Sequence, residues 1–307
     1  MYDLSSLIRQ ECRSIKIRPQ PGRAFVIQDE NPLCHMTQRW ELDFFSLNMV
    51  QRKGGQFQVV KKIVSIEEKK FHIEIRTSDQ LIKSRYLIGA DGANSIVRRL
   101  IHPFCRVTRY PALEADIRVD HPERHSMEFD FSMPGKGYYW IFPKGNHLNI
   151  GIYSTTGHPA LKQRQLVEYG QKRFGTDRLQ AVRGYPIGVG GYAHCPGSGR
   201  ILLSGDAAGF GENLLGEGIY FALKSGQAAA RAILSASATG TGACPGMAYA
   251  KALEKIRIDL RLYHLSAKCL YSFPSLSLKL LSLPFFHKKF VQGYADGKTL
   301  GQILLCR

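Results

Sequence analysis

The stretch from Gly199 to Leu234 constrains the fold more than any other part of this 307-residue chain. It reads GRILLSGDAAGFGENLLGEGIYFALKSGQAAARAIL. A short apolar run, Ile201–Ser204, stops at Gly205 and Asp206, which predicts a buried strand that ends at the C-terminal edge of a sheet. Small residues follow, and apolar residues at helical spacing predict a helix from Ile219 to Leu234. Open α/β sheets bind ligands at such an edge, although a strand–turn–helix unit of this kind can also serve packing alone.

A second motif has a similar design and comes earlier in the chain. The segment from Arg85 to Arg98 reads RYLIGADGANSIVR, in which an apolar run leads into Gly-Ala-Asp-Gly. Ser95 stands where a side chain can cap a helix that starts near Ile96. The segment therefore predicts a second strand, turn and capped helix.

Between the two motifs, residues 105–195 alternate apolar and polar positions in several short runs, which predicts an antiparallel sheet with one helix, from Ala160 to Phe174. Strand alternation puts Tyr138, Trp140 and Phe142 on one face. An aromatic stripe of this kind either fills a sheet core or lines an apolar binding pocket.

These motifs, in this order, resemble the flavoproteins related to p-hydroxybenzoate hydroxylase. The ending Gly-Glu-Gly-Ile at residues 216–219 resembles the geranylgeranyl reductase family in particular. The segment YYWIFPK at 138–144 is similar to the Y-x-W-x-F-P-K segment of that family, and RWELD at 39–43 is similar to its R-x-x-F-D helix start. Asn213 and Leu215 depart from the family, which usually has Pro and Thr there.

The resemblance implies FAD as the cofactor, and the stretch from Gly199 to Leu234 is implied to bind its ribityl chain and flavin ring. Asp206 is implied to bond the ribityl hydroxyls, and the backbone N–H groups of Gly218 and Ile219 are implied to face the pyrimidine edge of the isoalloxazine. Gly216 belongs to the same implied cofactor loop.

Three further cofactor contacts and a substrate surface follow from the same resemblance. Asp91 is implied to hold the diphosphate and ribityl region, Arg39 to contact the cofactor, and Ile63 to lie near the adenine. The substrate surface is implied to consist of Tyr138, Trp140, Phe142 and Pro143, which turn towards a long apolar pocket beside the flavin.

The chain contains no GxGxxG after a strand, the turn that usually holds a dinucleotide pyrophosphate. We therefore expect an α/β fold, α+β overall, with an incomplete FAD-binding Rossmann-like domain whose first βαβ unit is absent through N-terminal truncation. The expected boundaries are 1–104 and 198–235 for the two parts of this domain, 105–197 for the antiparallel substrate domain, and 236–307 for a helical C-terminal region.

Composition bears on partners and location. The net charge of +17 favours anionic partners, but no nucleic-acid-binding module is recognisable, so membrane headgroups are the better expectation. The seven cysteines, at 12, 34, 105, 195, 244, 269 and 306, lack CxxC spacing, which predicts reduced thiols in the cytoplasm and argues against a metal site or a disulfide scaffold. The apolar stretch Cys269–Phe286, interrupted by Pro274 and Pro284, either packs on the protein or lies at the inner face of the cell membrane.

The expected activity is an FAD-dependent reduction of isolated carbon–carbon double bonds in a prenyl chain of geranylgeranyl type. The electron donor is NADPH or a ferredoxin-like protein, and no side chain is assigned as catalytic. Two alternatives stay open: an FAD-dependent hydroxylase, and a non-catalytic remnant that binds a partner.

Overall fold

The computed structural model describes residues 3–133, 135–156, 160–193, 196–238 and 243–305. Cys195 and Cys306 lie outside these ranges. The helices are α1 Arg39–Arg52, α2 Ile96–Ile101, α3 Gln163–Phe174, α4 Ile219–Ala238, α5 Gly246–Ala252, α6 Glu254–Ser272, α7 Pro274–Leu281, α8 Pro284–Ala295 and α9 Leu300–Leu305.

The strands are short, with two exceptions of ten residues. They are β1 Gln10–Cys12, β2 Ser14–Gln20, β3 Arg23–Gln28, β4 Cys34–Met36, β5 Ile63–Glu68, β6 Ile73–Thr77, β7 Leu81–Ser84, β8 Leu87–Gly89, β9 Thr108–Ile117, β10 Met127–Asp130, β11 Gly137–Pro143, β12 Leu148–Ser154, β13 Gln180–Val189, β14 Gly197–Ser198 and β15 Ile201–Leu203. The α/β fold class expected from the sequence is confirmed.

The chain divides into two compact units, each assembled from separated segments. Unit 1 comprises Met1–Gln58, Pro111–Tyr185 and Cys269–Arg307, and unit 2 comprises Val59–Tyr110 and Pro186–Lys268. Unlike the expected boundaries, this division groups residues 1–58 and 269–307 with the inserted sheet. The reason is long-range pairing: β2 lies parallel to β10 in that sheet.

Unit 1 is built on a seven-stranded sheet with the strand order β13-β9-β12-β11-β10-β2-β3. The hairpin β11–β12 at its centre pairs in full register from Gly137↔Ser154 to Pro143↔Leu148. One face carries a core of Ile117, Ile141, Leu148, Ile150 and Tyr169, the last from α3. The predicted antiparallel sheet and its helix are therefore observed, although the parallel β2–β10 pair was not predicted.

The outer part of the unit 1 sheet is covered by a C-terminal helix. Leu278 of α7 is 1% exposed and packs in a cluster with Ile17, Ile27 and Leu33. This contact explains why a segment so late in the chain belongs to unit 1.

A buried ionic network lies beside the core of unit 1. Arg173 of α3 donates to Glu128 Oε1 and Asp130 Oδ2, both at 2.8 Å, and Arg18 Nε donates to Glu128 Oε1 at 3.0 Å. Tyr169 O–H also donates to Asp130. Burial and the neighbouring Asp130 raise the pKa of Tyr169, so its hydroxyl stays protonated.

Unit 2 contains two small sheets. Strands β15 and β8 pair in parallel, from Ile201↔Leu87 to Leu203↔Gly89, and β14 extends this sheet. The second sheet is an antiparallel meander of β5, β6 and β7. The hairpin of β5 and β6 spans residues 63–77, and β7 adds a third strand.

The C-terminal helices are punctuated by proline as predicted. Pro274 and Pro284 occupy the first turns of α7 and α8, where a missing N–H costs no helical bond. None of the described helices combines the length and the apolarity needed to cross a bilayer.

Candidate functional site

The centre of unit 2 is the turn that follows β15. Residues Gly205–Ala208 form one 3₁₀ turn, so Asp206 stands at the strand's C-terminal end as predicted. The N–H of Gly188 donates to Asp206 Oδ2 at 3.0 Å, and Asp206 is half-buried. Helix α4 also stabilises the turn, because Ser225 Oγ accepts from Gly205 N at 3.0 Å and lies 2.8 Å from Ser204 Oγ.

The loop before α4 brings its backbone close to this aspartate. A Cβ on Gly218 would lie 3.0 Å from Asp206 Oδ1, so any larger residue there would press on the carboxylate. Gly216 has a φ of 78°, which side chains rarely adopt. Helix α4 begins at Ile219, and the Gly218 carbonyl accepts the first helical bond, from Ala222 N at 2.9 Å.

Two glutamates in this loop were not singled out from the sequence. Glu212 is 2% exposed, and its carboxylate accepts from Leu214 N, Leu215 N and Glu217 N at 2.6–2.9 Å. Burial raises the pKa of Glu212 to about 7, although these three N–H groups favour the charged form. Glu212 therefore stabilises the conformation of the loop through these three bonds. The sequence signal that could have indicated it is a Gly-Glu pair within a glycine-rich turn.

The second glutamate lies at the beginning of α4. Tyr220 N donates to Glu217 Oε1 at 2.8 Å. Burial raises the pKa of Glu217, the N–H groups of Tyr220 and Ile219 oppose this, and the nearby negative charge of Asp206 raises it further. A ligand that accepts a hydrogen bond from the Ile219 N–H must therefore displace the Glu217 carboxylate from this N–H or share the N–H with it.

Asp91 caps a helix in this structure. Its carboxylate accepts from Ser95 Oγ and Ile96 N at 2.6 Å and from Val97 N at 3.1 Å, at the start of α2. Ser95 accepts from Arg98 N at 2.9 Å, which confirms the predicted cap. Both oxygens of Asp91 are thus bonded within the chain, and its cofactor contact stays a prediction.

Arg98 joins the two motifs, and sequence reasoning missed it. Its guanidinium is buried and donates to the Ala207 carbonyl at 2.6 Å and to the Ala93 carbonyl at 2.7 Å. The turn of Asp206 and the turn of Asp91 are therefore neighbours. An arginine one turn into a helix that follows Gly-Ala-Asp-Gly gives no local sign of this role.

The other two predicted cofactor contacts lie in different units. Ile63, half-buried, begins β5 in unit 2 and pairs with Thr77. Arg39 is in unit 1, where α1 starts at that residue as predicted; its side chain is 69% exposed and bonds Asp43 at 2.9 Å. Asp43 is the other end of the RWELD segment, so this ion pair satisfies both conspicuous charges locally.

The aromatic stripe is confirmed on β11. Tyr138 and Trp140 are buried, and neighbouring ring centroids along the stripe lie 6.1 Å apart for Tyr138–Trp140 and 5.9 Å for Trp140–Phe142. Trp140 Nε1 donates to Asn149 Oδ1 at 2.9 Å. Because its polar atom is satisfied by the neighbouring strand, Trp140 leaves carbon atoms for any further contact. Pro143 ends the strand and is buried.

Asn213, one of the departures from the family pattern, has its own partner. Asn213 Nδ2 lies 2.9 Å from His264 Nδ1, and the His264 ring centroid lies 5.1 Å from that of Tyr192. Burial lowers the pKa of His264, so the neutral ring can accept from the amide. A proline at 213 could not make this bond.

The residues of unit 2 fit a flavin ribityl and ring edge. An acceptor carboxylate stands at a strand end, the adjoining loop is glycine where a Cβ would press on that carboxylate, and a 20-residue helix begins there. Of the predicted cofactor residues, Asp91, Asp206, Gly216, Gly218, Ile219 and Ile63 lie in unit 2. Arg39 and the aromatic stripe belong to unit 1.

The sequence is similar to that of several known proteins. A Methanosarcina barkeri protein is 34% identical over 70% of this chain and 56% of its own length. Geranylgeranyl diphosphate reductase of Rhodobacter capsulatus is 30% identical over 75% of this chain and 61% of its own length. The chain thus spans about three fifths of the length of these two relatives. No protein-family profile matches it.

A solved structure has the same fold. A geranylgeranyl bacteriochlorophyll reductase-like structure from Thermoplasma acidophilum superposes with a TM-score of 0.72 over 99% of this chain and 81% of that one, at 21% identity. At that identity the superposition shows the fold alone. Together with the sequence matches to named reductases, it establishes that the chain belongs to the geranylgeranyl reductase family of FAD-dependent flavoproteins.

Proposed function

We propose that this protein is an FAD-dependent oxidoreductase that reduces isolated double bonds of a geranylgeranyl-type prenyl chain. The observation that carries the proposal is the Asp206 turn, with its Gly188 bond and its close approach to Gly218, in a chain 30% identical to a geranylgeranyl diphosphate reductase. FAD would supply hydride chemistry when bound.

The cofactor would be held mainly by unit 2. We assign the ribityl contact to Asp206 and the isoalloxazine edge to the backbone of Gly216, Gly218 and Ile219. Arg39, Ile63 and Asp91 are further proposed contacts, of which Asp91 must act while its oxygens also serve α2.

The prenyl chain would lie against the aromatic stripe of β11. Tyr138, Trp140 and Phe142, with Pro143 at the strand end, form an apolar face on which Phe142 is half-buried and the others are buried. The indole N–H on this face is already bonded to Asn149. Such a surface binds a prenyl chain by excluding water. A carboxylate or amide in the stripe would weaken this binding.

Peripheral membrane contact would give access to such a substrate. Leu276 and Leu280 lie one helical turn apart on α7 and are exposed. Leu283, which precedes α8, is also exposed, and Phe285 is 74% exposed. Leu278, on the opposite side of α7, is buried in unit 1. We call Leu276, Leu280, Leu283 and Phe285 the apolar surface of α7–α8. Lys279 and Lys289 are nearby in sequence, and a net charge of +17 favours anionic headgroups.

The decisive experiment is anaerobic turnover. Protein loaded with FAD is reduced with NADPH or a reduced ferredoxin and given geranylgeranyl diphosphate or a geranylgeranyl ether lipid, and saturation is followed by mass spectrometry. We expect stepwise addition of two hydrogens per double bond, with one of the two donors effective. Rapid NADPH oxidation with peroxide release that depends on an aromatic substrate would instead favour a hydroxylase. Loss of both flavin binding and turnover would favour a non-catalytic remnant.

A further inference from the structure

Two cysteines of unit 1 face each other across a strand pair. Strands β1 and β4 are antiparallel, and Cys12 is the direct partner of Cys34. Opposite residues in such a pair have Cα atoms about 4.5–5.5 Å apart, within the 4.4–6.8 Å that a disulfide requires. Among the cysteines within the described residues, no other two oppose each other in a strand pair.

The surroundings of these thiols favour exchange of a proton between them. A hydrogen bond with Cys34 lowers the pKa of Cys12, burial opposes this, and the ammonium of Lys144 lowers it further. The hydrogen bond with Cys12 and burial both raise the pKa of Cys34. One sulfur therefore gains thiolate character while the other keeps the proton, which is the arrangement that thiol–disulfide chemistry uses.

The position of Lys144 and Met127 completes this cluster. Lys144 Nζ donates to the Thr37 carbonyl at 2.9 Å, which places the ammonium beside the strand that carries Cys34. Cys34 Sγ lies 3.4 Å from Met127 Sδ, and Cys34 is half-buried while Cys12 is 4% exposed. An oxidant therefore reaches the thiol pair through Cys34, which is the more exposed of the two and lies beside the Met127 sulfur.

We infer that Cys12 and Cys34 form a redox-active dithiol that a peroxide oxidises reversibly to an intramolecular disulfide. In the net reaction two S–H bonds and the peroxide O–O bond break, and one S–S bond forms. The sulfurs lose two electrons to the peroxide oxygens, and the two thiol protons leave in two molecules of water. A small dithiol such as dithiothreitol reverses the step by becoming oxidised in its turn.

The disulfide would tie together a ladder of only three residue pairs, immediately before α1 begins at Arg39. Oxidation would therefore stiffen the segment that positions the start of α1. The inference concerns unit 1 alone and stands whether or not the proposed reductase activity is found.

Peptide mapping of the intact protein tests the inference. The native protein is treated with a small excess of hydrogen peroxide, the remaining thiols are alkylated, and the tryptic peptides are separated without reduction. We expect residues 10–13 joined to residues 24–39, with the loss of two hydrogens, and release of both peptides after dithiothreitol. The Cys269→Ser variant, which removes an exposed cysteine of α6, should give the same cross-link.

Two variants sharpen the result. Cys34→Ser should leave Cys12 without its partner, so that no cross-linked peptide forms and thiol loss under peroxide slows. Lys144→Met should slow formation of the cross-link several-fold while the circular dichroism spectrum stays that of the folded protein. Oxidation to sulfinic acid without a cross-link, cross-links between different chains, or equal reaction of Cys105 and Cys269 would overturn the inference.

Discussion

Asp206 and Asp91 are the same side chain in two different situations. Asp91 accepts three hydrogen bonds at the start of α2, so its negative charge mainly stabilises the N-terminus of that helix. Asp206 accepts from Gly188 at a strand end and faces Gly218. We therefore expect the loss of Asp206 to act on the cofactor and the loss of Asp91 to act first on folding.

The Asp206→Ala variant should retain far less FAD than the wild-type protein. A charge-assisted hydrogen bond contributes about 1.5–3 kcal/mol, or about ten- to a hundredfold in affinity. Flavin absorbance per protein after gel filtration measures this, with Glu123→Ala, an exposed carboxylate of unit 1, as the control. Equal flavin content in the two variants would remove Asp206 from the site.

We expect Arg98 to contribute more to the free energy of unfolding than its neighbour Arg99, although both lie on α2. Arg98→Met leaves the buried carbonyls of Ala93 and Ala207 without their donor, which costs about 1–3 kcal/mol for each unsatisfied group. Arg99 is exposed, and Arg99→Met should change stability little. Urea unfolding compares the two, and an equal loss of stability in both would contradict the proposed link between the two turns.

Among the helices and strands, the sequence predicted those that are encoded by residues close together in the chain. Helix α4, the start of α1 at Arg39 and the Ser95 cap depend on periodicity and on residues a few positions apart. The parallel pairing of β2 with β10 joins residues that are far apart in the chain, and no local pattern encodes it. The same holds for the reach of Arg98 from α2 to the carbonyl of Ala207.

The β11–β12 hairpin offers a sharp test of packing, because Trp140 lies against Gly151. A Cβ on Gly151 would come within 1.9 Å of Trp140 Cζ2, so Gly151→Ala must displace the indole. Overpacking of this kind costs about 1–3 kcal/mol. Gly184→Ala on β13, whose Cβ would meet Leu113 at an ordinary 3.5 Å, is the control for loss of a strand glycine.

Thermal unfolding and the tryptophan emission maximum report this difference. We expect Gly151→Ala to lower the melting temperature and shift the emission, and Gly184→Ala to do neither. Unchanged emission in Gly151→Ala would show that the indole does not rest on this strand.

At the scale of the whole molecule, acid should destabilise the fold through the ionic network of unit 1. Burial alone would raise the pKa of Glu128, but its ion pairs with Arg173 and Arg18 hold it below the ordinary value of 4.5. A carboxyl with a lowered pKa in the folded state stabilises the protein above its unfolded-state pKa. This stabilisation is lost as the pH falls from 4.5 through the folded-state value.

The Glu128→Gln variant isolates this contribution. It should be less stable than the wild-type protein near neutral pH, because Arg173 and Arg18 lose their buried partner, and the difference should shrink as the pH falls below 4.5. Glu168→Gln, on the exposed side of α3, should follow the wild-type profile. Parallel profiles for Glu128→Gln and wild-type protein would contradict the assignment.

The apolar surface of α7–α8 predicts binding to anionic vesicles. Phosphatidylcholine vesicles that contain phosphatidylglycerol should sediment the protein, and neutral vesicles should do so less. The double variant Leu276→Ser, Phe285→Ser should reduce binding at least several-fold. Phe104→Ser, which changes a side chain 94% exposed in unit 2, is the matched control. Equal binding by both variants would mean that net charge alone attracts the protein.

How the chain divides into units was beyond the reach of sequence reasoning. The expected boundary near residue 104 follows the order of motifs, whereas the observed division follows which strands share a sheet. For the site, the sequence and its family resemblance indicated Asp206 and the Gly218 loop. Glu212, Glu217 and Arg98 emerged only from hydrogen bonds in the folded chain.

The packing of Leu278 on Ile17 has a consequence for how a cell makes this protein. A ribosome delivers β2 and β3 early and α7 much later, so Ile17, Ile27 and Leu33 remain without their helical cover while the intervening residues are synthesised. Contacts between such distant residues also form slowly. The nascent chain therefore exposes apolar surface that the finished fold covers, and added chaperones that bind this surface should raise the yield of native protein.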